Sequence, residues 1–174
     1  MAFACNPMAA HAATSETATS EAYIVTPLSL SKYADLDFGT IVSPAAAGTV
    51  VLTPAPVASC AMTGGLIHSG VCQAAVFFGF GASGQIVKVK MPNGLTTTLA
   101  GPGGATMTVT NMSLDGDPSL VYVSGNVAAN GFVRYTIAAP SGLFSFRVGG
   151  TLNVGAAQAI GVYTGSFDMN VSYQ

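Results

Sequence analysis

Few side chains in this chain could do chemistry. It holds His11 and His68, the cysteines Cys5, Cys60 and Cys72, five Lys and Arg, and seven Asp and Glu. Cys60 and Cys72 bracket the glycine-rich stretch A-M-T-G-G-L-I-H-S-G-V, which contains His68. Two thiolates and an imidazole are zinc ligands, but a structural zinc site takes four, and the fourth is missing. In an exported protein the same cysteine pair reads more simply as a disulfide, worth about 3 kcal/mol in the chain-entropy model for so short a loop. Asp115-Gly116-Asp117-Pro118 opens like half of a calcium loop without the remaining oxygen ligands, and reads as a surface turn. The abundant Ser and Thr lack a G-x-S-x-G elbow. The glycine runs at Gly64-Gly65 and Gly101 to Gly104 lack the lysine and the strand–loop–helix frame of a phosphate loop. No catalytic residue, metal ligand set or cofactor follows from these residues, and the expectation is a protein that is not an enzyme.

Composition narrows the class. Half of the 174 residues are apolar but only 7% are charged, against the usual quarter. The 21 Gly and 9 Pro, with much Thr and Val, favour short strands and turns. A formal charge of −2 supplies no basic stripe for nucleic acid. No apolar run approaches the roughly 20 residues of a membrane-spanning helix, so membrane insertion is not expected. So little charge suits a subunit packed into an assembly better than a freely diffusing monomer.

The elements read as strands. Phe167, Met169, Val171 and Tyr173 alternate strictly with Ser166, Asp168, Asn170 and Ser172, the period of a half-buried strand. Four such side chains, at roughly 1.5–3 kcal/mol each when buried, make this last strand part of the core. Upstream, Ile24 to Leu30, Leu36 to Val42 and Gly48 to Thr53 read as strands, the last stopped by Pro54 and Pro56. Val71 to Phe80 is the most aromatic run and reads as central core. Ile86 to Met91 alternates, and Pro92-Asn93-Gly94 predicts a hairpin returning through Leu95 to Leu99. Ala105 to Met112, Leu120 to Val123, Val133 to Ile137 and Leu143 to Leu152 follow, with a bulge or close approach at Gly149-Gly150. Strands recurring every 8–12 residues or so between turn signals predict an all-β antiparallel sandwich.

The N-terminus reads in two parts. Residues 1–12 end in Ala10-His11-Ala12, a small-x-small pattern for signal cleavage that sets the mature start at Ala13. Residues 13–25 are small and polar, and read either as a flexible terminus or as an extended strand. Residues 26–174 form the domain.

The C-terminal pattern, with Gly161 fourteen residues from the end and Tyr173 penultimate, resembles that of chaperone–usher pilus subunits. The ordered blocks T-P-L-S-L, A-D-L-D-F-G-T-I-V, F-R-V-G-G-T-L-N-V and G-V-Y-T-G-S-F-D-M-N-V-S-Y resemble a family of bacterial secreted pilin-like domains, DUF4402, from about Tyr23 onward. The resemblance implies an immunoglobulin-like antiparallel sandwich of pilin type, completed by donor-strand exchange. It implies a polymerisation groove beside Gly161, Phe167, Met169, Val171 and Tyr173. The donor strand would come from a neighbouring subunit and present Thr14, Glu16, Ala18, Ser20, Ala22 and Ile24. The partners implied are identical subunits in a homo-polymer, with a periplasmic chaperone and an outer-membrane usher during assembly, and the location is the cell surface. A second expectation is a monomeric secreted or surface binding module, with a self-complete sandwich and Tyr122, Asn130 and Tyr135 near a sugar site.

Overall fold

The computed structural model describes Thr19, Glu21, Ala22 and residues 24–174, with Asn130 described in its backbone alone. These residues form thirteen strands and a single turn of α-helix. Every ladder between the strands is antiparallel. The protein is an all-β sandwich.

The hub is β12 (Leu143–Val154), whose inward residues Phe144, Phe146, Val148, Leu152 and Val154 are buried. Its first half pairs with β6 (Ala75–Phe80) and its second half with β3 (Gly48–Thr53), while β9 (Thr106–Asp115) runs along its other edge. β1 (Ser29–Ala34) extends the sheet beyond β6, β4 (Ser59–Met62) beyond β3, and β8 (Thr97–Ala100) beyond β9. Where β12 passes from one neighbour to the next it carries Gly149-Gly150, and its register with β9 shifts there. A Cβ on Gly149 would lie 2.3 Å from the Leu52 carbonyl oxygen, so the expected close approach is real.

The facing sheet has the order β10 (Leu120–Asn126), β11 (Phe132–Ile137), β7 (Ile86–Lys90), β13 (Asn170–Tyr173). Val87, Val89, Met91, Val133, Tyr135 and Ile137 join the β12 residues in one core. The helical turn α1 (Val127–Asn130) links β10 to β11, capped by Asn126, whose side chain accepts from the Ala128 amide. A small third sheet pairs β2 (Thr40–Ile41) with β5 (His68–Ser69).

The structure departs from the sequence reading at four places. The first strand begins at Ser29, and Ile24 is 94% exposed. The stretch Leu36 to Val42 carries only the Asp37–Gln73 bridge and the short β2. Phe78 and Phe80 point outward from β6, so only alternate members of the aromatic run reach the core. The Asn93-Gly94 hairpin does not form. Both edges of β7 are occupied, by β11 and β13, and the chain crosses after Gly94 and Leu95, both at positive φ, so that β8 pairs with β9 instead.

Candidate groove beside the last strand

Along the C-terminal segment the period-two pattern holds in burial. Phe167, Met169, Val171 and Tyr173 pack against the core, and Ser166, Asp168, Asn170 and Ser172 are exposed. The four apolar residues are only half-buried, however, and the ladder is confined to Asn170–Tyr173. Phe167 and Met169 are left partly open by the groove they line. β13 ends its sheet, pairing with β7 on one edge only.

Ahead of β13, residues 158–169 line one side of a groove of about 1330 Å³; of the residues expected there, Gly161, Phe167 and Met169 line it, and Val171 and Tyr173 do not. Its floor is core: Phe77, Val109, Leu152 and Val154 reach it from the seven-stranded sheet. One wall is the N-terminal segment with Leu30, Leu36, Phe38 and Ile41; the other is the C-terminal segment with Tyr163, Phe167 and Met169. Val42, Ile160 and Val162 line it while remaining 52%, 88% and 81% exposed, which leaves an apolar mouth open to water.

The two walls run antiparallel and are pinned at both ends. At one end the Tyr173 hydroxyl donates to the Thr26 carbonyl at 2.7 Å and accepts from the Ala82 amide at 2.7 Å. At the other, the Ala157 amide donates to the Pro44 carbonyl at 2.8 Å and the Ser43 hydroxyl to the Gln158 carbonyl at 2.9 Å. Between these pins, no backbone hydrogen bond joins the walls among the described residues.

Each wall is tied to the body from its outer side. Thr164 exchanges two backbone bonds with Ala100, at 2.7 and 2.9 Å, and the Thr97 hydroxyl donates to the Ser166 carbonyl. Gly161 rests on Pro102, where a Cβ would lie 2.7 Å from its ring. The opposite wall is braced by the disulfide loop. Cys60 and Cys72 are bonded, with Cα atoms 6.1 Å apart. Gln73, next after the loop they close, exchanges two backbone bonds with Asp37, and within the loop Ile67 accepts from the Val42 amide. His68 is half-buried: its Nε2 lies 2.8 Å from the Phe38 carbonyl oxygen, which can only accept, so this nitrogen carries the hydrogen that donates there. Gly39, at φ +71°, leaves the space for that ring; a Cβ would lie 2.6 Å from Nε2. Cys60, His68 and Cys72 do cluster with ligand spacing, but the disulfide uses both sulfurs.

Of the expected donor-strand residues, Thr14, Glu16, Ala18 and Ser20 lie outside the described residues, as do His11 and Cys5. Ala22 and Ile24 are exposed and do not enter the groove of their own chain. Of the residues named for a sugar site, Tyr122 and Tyr135 are partners across β10 and β11, and the side chain of Asn130 lies outside the described residues. Tyr135 is in the core, its phenol pushed above the usual range by burial first and then by Asp115 and Tyr122. Tyr122 is exposed, edge-on to Tyr135 at 6.2 Å, and donates to the Gly125 carbonyl. The wall contacts of Tyr173, Ser43 and His68 carried no local sequence signal, because each partner lies far away in the chain.

The fold and groove define an antiparallel β-sandwich with an open apolar groove beside the segment that leads into its last strand. The family model described as domain of unknown function DUF4402 matches residues 28–173, and the chain belongs to that family. No curated protein and no solved structure matches it. Among the described residues no helix is long and apolar enough to cross a membrane.

Proposed function

We propose that this chain is a structural subunit of an extracellular bacterial filament, polymerising by insertion of one subunit's N-terminal extension into the next subunit's groove. The observation that carries the reading is the groove itself: an apolar slot between two antiparallel walls, one of which leads into β13, a strand with a free edge. An open edge over apolar side chains is an aggregation hazard unless a strand covers it. Strand addition would satisfy the backbone groups, while alternate side chains enter the slot. Residues 14–24, fully extended, span about 33–37 Å, a length on the scale of a long strand.

The geometry favours a neighbour's extension over the chain's own. The chain upstream of Thr26 leaves from the pinned end at Tyr173, and Ile24 stands in solvent. A contact made by one end of a subunit on a different surface of the next is head-to-tail and need not close, which yields a fibre. In this reading a periplasmic chaperone shields the groove before assembly and an outer-membrane usher orders the subunits. The role is structural, without a catalytic centre. Deleting Ala13–Val25 from the full chain tests it by electron microscopy and size-exclusion chromatography. Loss of polymers, restored groove occupancy by a synthetic 13–25 peptide and unchanged folding are expected. Polymers that form unchanged without residues 13–25 reject the donor role, and monomers of the full chain reject the filament in favour of a self-contained binding module.

A further inference from the structure

We infer that the outer face of the four-stranded sheet is a binding surface for an acidic polysaccharide. The chain has five cationic side chains. Two are paired with carboxylates: Lys32 with Asp35, and Arg147 with Asp115 at 3.3 Å. The other three, Lys88, Lys90 and Arg134, have no carboxylate partner among the described residues, and all three stand on adjacent strands of this one face.

Their arrangement is costly without an external anion. Lys88 and Arg134 are directly opposite in the β7–β11 ladder, a placement of like charges that destabilises a sheet. Both lie against Phe132: the Lys88 Nζ is 4.3 Å and the Arg134 Cζ 4.6 Å from the ring centroid. The ring's negative faces offset part of the repulsion but neutralise nothing. The Arg134 Nε is buried and has no hydrogen-bond partner among the described residues. An anionic group seated between the two cations answers the repulsion.

The surroundings choose the kind of anion. One row across the sheet reads Ser124, Arg134, Lys88, Ser172 from strand to strand. The next reads Asn126, Phe132, Lys90, Asn170. Neighbouring strands are about 4.8 Å apart and successive rows about 6.8 Å, so the cations sit on a grid of separated charges flanked by hydroxyls and amides. That matches a linear chain carrying one carboxylate per sugar ring, with hydroxyls between. Duplex nucleic acid packs its charges at about 1.7 Å and draws its affinity from many phosphate contacts, which three cations on a chain of net charge −2 do not supply. The surface is independent of the groove: Asn170 and Ser172 face outward from the strand whose Val171 and Tyr173 face inward. A lone subunit therefore binds, whether or not subunits assemble.

The test is titration of the purified full chain with alginate by isothermal calorimetry, against dextran of equal length. Alginate binding that weakens as salt rises, and no dextran binding, are expected. Replacing Lys88→Gln, Lys90→Gln and Arg134→Gln together should weaken alginate binding at least tenfold, while Lys32→Gln on another face leaves it unchanged. A thermal melt checks that the triple variant is folded. If it is not, exposed Lys90→Gln alone must still weaken binding at least threefold. No alginate binding, equal binding by a folded triple variant, or equally tight binding to a DNA duplex or to phosphatidylserine vesicles overturns the inference.

Discussion

Replacing Tyr173 by Phe removes a single oxygen, and its consequences follow from the groove's pinned end. That hydroxyl accepts from the Ala82 amide and donates to the Thr26 carbonyl, each at 2.7 Å. The two losses are unequal. Thr26 is exposed, so its carbonyl regains water at almost no cost. Ala82 is half-buried, and the hydroxyl sits beside Gly81, where the ends of Leu28 and Ile137 also pack. Those apolar neighbours leave poor access for a replacement water, so the Ala82 amide loses its partner at roughly 1–3 kcal/mol. Taking about 2 kcal/mol, a domain of this size should melt about 4–8 °C lower. Circular dichroism melts of wild type and Tyr173→Phe measure this, and amide hydrogen exchange should show faster exchange specifically at Ala82. A melting temperature within about 1 °C of wild type, with Ala82 still protected, would refute the reasoning, because the hydroxyl would then be replaceable by solvent.

Further outcomes follow from the same structure. Replacing both cysteines (Cys60→Ala with Cys72→Ala) should cost about 2–5 kcal/mol, and the wild type should lose a comparable amount in reductant, read by thermal melts with and without dithiothreitol. Because the loop braces one groove wall, proteolysis of the reduced protein should also begin near residues 37–42. Gly149→Ala drives a Cβ into the Leu52 carbonyl, a backbone atom that cannot rotate away, and should destabilise by at least about 1–3 kcal/mol, read by urea denaturation. Met169→Asp changes a half-buried groove residue and should leave the isolated domain folded by circular dichroism while abolishing binding of a 13–25 peptide, measured by fluorescence anisotropy.

Much of the outline was legible from local pattern. The β-branched run Gly48–Thr53 and the alternation of Ile86 to Met91 became strands at those places, with Val87, Val89 and Met91 buried as their period requires. Phe167 to Tyr173 kept its two faces even where no ladder forms, because extended backbone alone alternates side chains. The hairpin after β7 failed for a reason no local pattern contains: a turn signal reports that the chain reverses, not whether the neighbouring edge is free.

The sequence by itself determined the all-β class, the facing of its strands, the cysteine pair and the scarcity of titratable side chains, since each depends on residue type, spacing or composition along the chain. Tertiary structure alone decided that β12 serves two partners on one edge, that His68 and the disulfide loop brace a wall, and that three cations without a carboxylate partner among the described residues share a face. It alone decided as well that a slot lies open beside the segment leading into the last strand. These depend on which edges meet, and edge pairing is settled by contacts between segments far apart in sequence, where backbone hydrogen bonds are alike for every residue and only the packed whole selects among them.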